Sequence, residues 1–139
     1  FAREQADELS EAQRLHQRAT QLYEQGKYNE AAPLLEQALA IRLRIFGERH
    51  PDVATSLNSL ANLYYSQKRY KEAEPLYVQA LDLRKSLFGE QHLDVAQSLS
   101  SLANLYFSQG RYKEAEPLYV RSLKLWKLLL GERHLNVAQ

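Results

Sequence analysis

The sequence repeats itself with a period of 42 residues. Residues 52–93 and 94–135 are identical at 31 of 42 aligned positions, and a weaker copy precedes them, in which Tyr28 falls one period before Tyr70. A repeat of this length predicts a solenoid, in which each module packs mainly on its neighbours. Because a solenoid presents an extended face rather than an enclosed pocket, the pattern favours a binding protein over an enzyme.

Each repeat contains two apolar stripes at helical spacing. In the second repeat the first stripe predicts helix A, which begins at Pro51 and ends near Ser66. The second stripe predicts helix B, which begins near Lys71 and ends before Gly89. The stripes are Val53, Leu57, Leu60, Ala61 and Tyr64 in helix A, and Ala73, Leu76, Tyr77, Ala80, Leu81, Arg84, Leu87 and Phe88 in helix B; the third repeat has the same helices over residues 95–108 and 113–130.

Small residues and tyrosines recur at fixed places in both repeats: Ala61, Tyr64, Tyr70, Ala73, Tyr77 and Ala80, then Ala103, Tyr106, Tyr112, Ala115, Tyr119 and Ser122. This arrangement resembles the tetratricopeptide repeat. The period and the segments SLNSLANLYYSQKRYKEAEPLYVQAL and FGERHPDVATSL look like the longer variety found in kinesin light chains and many bacterial proteins. The departures are Leu22 and Leu35, which replace tyrosines, and Leu93 and Leu135, which replace the proline seen at Pro51.

The resemblance implies an all-α, right-handed superhelical solenoid of three helix-turn-helix repeats plus the start of a fourth. We predict a single domain over residues 1–139. Its parts are repeat 1 at about 10–51 with an N-terminal helical extension over 1–9, repeat 2 over 52–93, repeat 3 over 94–135, and the start of a fourth helix A over 136–139. One long first helix is the preferred interpretation; the alternative is a break at a capping box formed by Ser10 and Gln13.

Composition excludes several classes of function. The 18 basic and 17 acidic residues give a formal net charge of +1, which does not support nucleic-acid binding. No apolar run approaches the roughly 20 residues that a membrane-spanning helix needs, and the N-terminus lacks the features of a signal peptide. We therefore expect a cytoplasmic protein that binds neither nucleic acid nor membranes. The absence of cysteine from the sequence excludes disulfides, thiolate nucleophiles and cysteine-based zinc sites. Because the chain begins with Phe1 rather than methionine, we also expect it to be a fragment.

Helix A carries a second stripe beside its core stripe, and this stripe is the candidate binding groove. Its residues are His16, Thr20 and Tyr23 in repeat 1, Thr55, Asn58, Asn62 and Tyr65 in repeat 2, and Gln97, Ser100, Asn104 and Phe107 in repeat 3, with Gln13 preceding His16. The resemblance implies that helix A lines the concave face and that Asn62 and Asn104 hydrogen-bond the backbone of an extended peptide. An amide offers two donors and one acceptor for this purpose.

The aromatic members of the stripe, Tyr23, Tyr65 and Phe107, would supply apolar pockets in the groove. The alternative is structural: the asparagines bond neighbouring helices, and the aromatic rings pack between successive A helices. The charge of the groove is modest, because Glu24 is its main acidic residue and His16 its only titratable cation. The stripe therefore predicts neither an acidic nor a basic ligand.

Three histidines recur in the pattern Gly-Glu-x-His, at His50, His92 and His134. Successive copies would lie on the order of 10 Å apart, whereas zinc ligands lie about 2 Å from the metal. We therefore interpret them as loop and helix-start residues and expect no metal and no cofactor. The sequence also lacks a nucleophile motif, a glycine-rich phosphate loop and a histidine–carboxylate cluster, so we expect no enzymatic activity.

The last helix is more apolar than its counterparts. Trp126 and Leu128 stand where the earlier repeats have Arg42 or Arg84 and then a polar residue, so polar surface is predicted to become apolar. One explanation is a fourth helix A beyond this chain, since terminal repeats need a cap. The other is self-association into a homodimer through Trp126, Leu128 and Leu129.

These observations predict a non-catalytic scaffold that binds a peptide segment or protein domain in the groove lined by helix A. The alternative function is that of an oligomerisation or regulatory spacer module in a larger multidomain protein, self-associating through its C-terminal helix. Neither interpretation identifies the partner.

Overall fold

A computed structural model describes the backbone of residues 1–138 and the side chains of residues 1–131. The described chain consists of six α-helices and no strand, which confirms the all-α repeat solenoid. The helices are α1 (Ala2–Glu24), α2 (Tyr28–Phe46), α3 (Pro51–Ser66), α4 (Tyr70–Phe88), α5 (Leu93–Ser108) and α6 (Tyr112–Ala138). Helix A of the three repeats is therefore α1, α3 and α5, and helix B is α2, α4 and α6. The first helix runs without a break through Ser10.

Each helix packs against its neighbours in sequence, and α3 also contacts α5. Alanines on helix A permit this close packing because they add almost no side-chain bulk. Ala19, Ala61 and Ala103, which are one period apart, are all fully buried. The main core cluster joins residues of α1 through α5, and partly buried apolar side chains of α6 pack against it. Helix B thus supports helix A from one side, and the second stripe of helix A lies away from this support.

The turn from helix A to helix B depends on one residue with a left-handed backbone. Its φ is 75° at Gly26, 62° at Lys68 and 76° at Gly110. Glycine adopts this conformation without the steric penalty that a side chain brings. Lys68 is therefore the strained copy of a turn that the two other repeats make with glycine.

The turn from helix B to the next helix A is fixed by a histidine. The Nδ1 atoms of His50 and His92 accept hydrogen bonds from the backbone N–H groups of Asp52 and Asp94, both at 3.0 Å. This satisfies one of the free donors at a helix start, as a serine or asparagine cap does. The ring of His50 also stacks on that of Phe46 at 3.7 Å between centroids, and His92 stacks on Phe88 at 4.3 Å.

The third repeat departs from this pattern. The sequence predicts that helix B ends near Leu130 and that a new helix opens at residue 136, whereas α6 continues to Ala138. Gly47 and Gly89 end their helices with φ values of 77° and 81°, but Gly131 lies inside α6. The physical difference lies in the preceding residue, because Leu130 stands in the place of Phe46 and Phe88 and cannot form the ring stack on a histidine.

Within the residues that the structure describes, none of the helices is both long enough and apolar enough to cross a membrane.

Candidate functional site

The predicted groove residues lie on α1, α3 and α5. Thr20, Thr55, Gln97 and Asn104 are exposed, His16, Tyr23, Asn62, Tyr65 and Ser100 are half-buried, and Phe107 is 55% exposed. Asn58 differs from the expectation, because it is only 5% exposed and lies below the surface. Its Oδ1 has no hydrogen-bond partner among the described residues. The aligned Ser100 is bonded instead to Ser122 of α6, and the residue aligned with Ser122 in α4, Ala80, has no side-chain hydrogen-bonding group.

The two asparagines at the centre of the stripe are held in one orientation by tyrosines of helix B. The Tyr77 hydroxyl donates to Oδ1 of Asn62 at 2.6 Å, and the Tyr119 hydroxyl donates to Oδ1 of Asn104. Burial raises the pKa of both phenols, so the hydroxyls keep their protons and act as donors. With the oxygen occupied, each amide presents its two N–H donors, and these make no hydrogen bond within the described side chains. A group placed against them must be an acceptor.

The aromatic residues at the end of helix A bond across the repeats. The Tyr23 hydroxyl lies 2.8 Å from Oγ of Ser66, and the Tyr65 hydroxyl lies 2.6 Å from Oγ of Ser108. The third member, Phe107, has no hydroxyl and is more exposed. The tyrosines therefore have the structural role of the alternative interpretation, since they link successive A helices, and their half-buried rings still form part of the surface.

Two buried arginines lie beneath the first turns of the stripe, and their partners could not be predicted from the sequence. Arg42 is 6% exposed and donates to Oγ of Ser56 at 2.7 Å and to Oε1 of Gln13 at 3.0 Å. Arg84 is 5% exposed and donates to Oγ of Ser98 at 2.9 Å. Each arginine thus joins helix B of one repeat to helix A of the next. The sequence signal was an arginine recurring within an apolar stripe.

The electrostatics of the groove follow from these arginines. Nδ1 of His16 lies 3.3 Å from Nη1 of Arg42. Burial, and secondarily the positive charge of Arg42, lowers the pKa of His16 below its ordinary value of 6.5. The residue that the sequence offered as the titratable cation of the groove is therefore neutral at pH 7. Both asparagine amides are neutral as well, so this part of the stripe offers hydrogen-bonding groups and apolar surface rather than charge.

A cavity of about 180 Å³ opens between α1, α2 and α3. Three of its lining residues, Thr20, Tyr23 and Asn62, belong to the predicted stripe. The complete lining is Ala19, Thr20, Tyr23, Leu35, Ser59 and Asn62. In the sequence, Leu35 is visible only as a departure from the tyrosine pattern, and no pattern connects it with the stripe.

The apolar face of α6 is present, but its origin differs from the prediction. Trp126 and Leu129 are half-buried, and Leu128 is 43% exposed. The residues aligned with Trp126, however, are the buried Arg42 and Arg84, which are not polar surface. Trp126 therefore replaces a group that binds the following helix A, and an indole ring cannot donate the same set of hydrogen bonds.

The histidines form no metal site in the part of the chain whose side chains are described. No group of three potential ligands comes together there. His50 and His92 cap helices, as their position at a helix start predicted. His134 lies outside the described side chains.

Comparison with models of known protein families identifies the family of these repeats. A tetratricopeptide repeat model matches three overlapping stretches, residues 10–86, 57–127 and 94–139, which together cover most of the chain. The chain belongs to the tetratricopeptide repeat family. The repeats are of the kinesin light chain-like variety, as the 42-residue period predicted. A comparison with curated protein sequences gave no significant match.

Solved tetratricopeptide structures share the fold. BtubC (BKLC) from P. vanneervenii has a TM-score of 0.79 at 26% identity, over 86% of this chain and 48% of that one. A Podospora anserina protein with nearly identical TPR-like repeats of the kinesin light chain type has a TM-score of 0.76 at 25% identity, over 88% and 57%. This chain thus spans about half the length of these two relatives.

A third structure was solved with a peptide. The second TPR of Spaghetti (RPAP3), bound to the HSP90 peptide SRMEEVD, has a TM-score of 0.67 at 20% identity, over 88% of this chain and 98% of that one. At this level of identity the likeness shows the shared fold alone.

Proposed function

We propose that this tetratricopeptide repeat chain is a non-catalytic scaffold that holds an extended peptide segment of a protein partner in the concave groove lined by helix A. The observation that carries the proposal is the fixed orientation of Asn62 and Asn104. Because tyrosine hydroxyls occupy their Oδ1 atoms, their free N–H groups form a row of donors, one for each of these repeats. Main-chain carbonyl oxygens are the acceptors that every peptide offers, whatever its sequence.

The spacing of the donors suits an extended chain. Packed helices lie about 8–10 Å apart, so Asn62 and Asn104 on adjacent A helices are separated by roughly 10 Å or slightly more. An extended peptide rises about 3.3 Å per residue, so this separation corresponds to about three residues. One main-chain carbonyl of the peptide would therefore accept a hydrogen bond from Asn62. The peptide would cross Tyr65 in an extended conformation, and a second carbonyl would accept from Asn104.

The groove selects against charged anchors. Its central amides are neutral, and the pKa of His16 is lowered. A charged ligand side chain placed beside these amides would lose hydration without an opposite charge on Asn62, Asn104 or His16 to offset the loss, whereas an apolar side chain gains by burial. The peptide-bound Spaghetti structure supports the idea that this fold can hold a peptide. It says nothing of the peptide that binds here.

The test uses peptides selected against the chain itself. A random-peptide display library is panned on the wild-type protein, and a selected peptide is synthesised and titrated by fluorescence anisotropy. We expect the Asn62→Ala, Asn104→Ala double variant to lose at least 10-fold in affinity, because two hydrogen bonds are removed. The matched control is Asn29→Ala, since Asn29 lies at the start of α2 and bonds Gln67 rather than facing the stripe. Equal affinity for the double variant and the wild type would refute groove recognition.

A second candidate function is self-association through α6, and a specific observation favours it. Leu123 and Leu130, which lie seven residues apart on one face of this helix, are 54% and 49% exposed. Exposed apolar patches commonly mark interfaces. Under this proposal the wild type elutes as a dimer with light-scattering detection, and Trp126→Glu elutes as a monomer. An unchanged mass for this variant would remove the idea.

A further inference from the structure

Two of the residues that line the cavity beside Thr20 differ from their counterparts in the next repeat, and the larger difference is at Leu35. Leu35 of α2 occupies the position of Tyr77 in α4 and Tyr119 in α6. In the second repeat the Tyr77 ring is 2% exposed, and its hydroxyl reaches Asn62, the residue aligned with Thr20. Leucine has neither the ring nor the hydroxyl, so the space that a tyrosine fills in one repeat becomes a cavity in the other.

No residue of α2 replaces the hydrogen bond that Tyr77 makes in the next repeat. The Thr20 hydroxyl bonds the carbonyl of His16 in its own helix, at 3.0 Å. Leu35 is 4% exposed and forms the floor with Ala19, which is fully buried. The cavity is therefore an apolar depression below the predicted stripe, and it opens beside the amide of Asn62.

The chemistry of the lining limits what can enter. None of the six lining residues carries a charge, so a charged side chain would be desolvated without compensation. The floor is aliphatic, and the Tyr23 ring forms part of the wall and can pack edge-on against another ring. At the rim, Asn62 offers its two N–H donors, because the hydrogen bond from Tyr77 orients the amide oxygen toward helix B.

The volume points to an aromatic ring. An enclosed apolar cavity of roughly 150 Å³ binds benzene, and this open depression, at about 180 Å³, has room for a ring of the same size. An alanine or valine side chain would leave much of such a space empty and lose contacts with its walls. A phenyl ring fills it, as the tyrosine ring does in the next repeat.

We propose that the cavity between α1, α2 and α3 is a specificity pocket for a phenylalanine side chain of a peptide ligand, with the N–H donors of Asn62 binding a main-chain carbonyl beside that residue. The proposal rests on the proposed function, because it requires a peptide in the groove. It adds which side chain is selected and at which joint between repeats.

The first experiment uses N-acetyl-L-phenylalaninamide as a probe, followed by NMR of the ¹⁵N-labelled chain. We expect saturable shifts at the backbone amides of Ala19, Thr20 and Ser59 in the wild type, and no saturable shifts with N-acetyl-L-alaninamide. Leu35→Tyr should abolish the shifts, because it restores the ring that fills this space in repeat 2. Shifts that persist in Leu35→Tyr, or that the alanine derivative reproduces, would overturn the pocket.

A reciprocal variant guards against a folding artefact. Tyr77→Leu should create a second pocket one period further along, with new shifts at Ala61 and Ser101. Thermal unfolding followed by circular dichroism establishes that each variant is folded. If Leu35→Tyr does not fold, Ser59→Leu fills the cavity from α3 and is expected to give the same loss of shifts.

The second experiment separates this proposal from the proposed function. A peptide selected by display, and the same peptide with its phenylalanine replaced by alanine, are titrated against the wild type and Leu35→Tyr. We expect Leu35→Tyr to lower the affinity for the parent peptide at least 10-fold. Replacing the phenylalanine of the peptide by alanine should then have almost no further effect on affinity for this variant. A peptide that loses affinity in the Asn62→Ala, Asn104→Ala variant but not in Leu35→Tyr would overturn the pocket while the groove stands.

Discussion

The contact between repeats 1 and 2 and the contact between repeats 2 and 3 share the same linking hydrogen bonds. They differ in the side chain that occupies the space below the groove. In both, a buried arginine of helix B bonds a serine of the next helix A, and a tyrosine links the A helices to a second serine. At the second joint Tyr77 closes the space below the groove, whereas Leu35 leaves it open at the first. The residues that hold the modules together are thus separate from the residue that shapes the surface.

The largest effect should come from breaking the arginine link that both joints share. Arg42→Ala and Arg84→Ala should each lower the free energy of unfolding by about 3 kcal/mol, because charge-assisted hydrogen bonds are lost and a buried serine keeps no partner. Urea denaturation measures this. The control is Arg44→Ala on the same helix, whose exposed ion pair with Glu8 is worth less than about 1 kcal/mol. Equal losses for Arg42→Ala and Arg44→Ala would contradict the assignment.

The tyrosine below the groove in repeat 2 can be replaced by the leucine that repeat 1 has at the same position. Tyr77→Leu should cost about 2 kcal/mol of stability, because the variant loses buried ring contacts and the hydrogen bond to Asn62. Tyr119→Leu is the matched control: Tyr119 is 36% exposed against 2% for Tyr77, so we expect about half the loss. Differential scanning calorimetry of both variants would show the order. A larger loss for Tyr119→Leu would be inconsistent with the burial of the two rings.

The turns offer a stabilising change of smaller size. Lys68→Gly should raise the free energy of unfolding by about 0.5 kcal/mol, since relief of the left-handed strain slightly exceeds the added entropy of the unfolded glycine. The reverse change, Gly26→Lys, should destabilise repeat 1 by a comparable amount. Chemical denaturation of the two variants tests the pair, and a destabilised Lys68→Gly would show that its side chain has a role that outweighs the strain.

The smallest expected difference concerns pH, because only the first joint has a histidine beside its arginine. The folded pKa of His16 is lowered, so the unfolded chain binds a proton first as pH falls below 6.5. Stability should therefore decrease with falling pH between 6.5 and the lower folded pKa. His16→Asn, which introduces the residue of the aligned Asn58, should remove this component. Melting temperatures of the wild type and His16→Asn, measured at pH 5.5 and 7.5, test this prediction. The same change in melting temperature with pH in both proteins would exclude a contribution from His16.

Local patterns in the sequence were sufficient to predict the helices and the solenoid. The stripes, Pro51 and the turn glycines fix where most helices begin and end, because these signals act within one module. The partners of Arg42 and Arg84 could not be predicted in this way, since the serine that each arginine binds lies 14 residues away on the next helix. The cavity depends on three helices together, although Leu35 was already visible as the unusual residue. The continuation of α6 past Gly131 was not predicted, because in the sequence the glycine alone indicates the end of the helix. In the first two repeats a phenylalanine precedes that glycine and stacks on the next histidine, and in the third repeat Leu130 stands in its place.

The position of Leu35 has a consequence for how such arrays diversify. Copies made by duplication start with the same residue at this place, and exchange of a tyrosine for a leucine there alters the surface without touching the links between modules. Recognition can then drift while the architecture is inherited unchanged. In a designed array, the choice of leucine or tyrosine at this position in each module would set which modules have an open pocket.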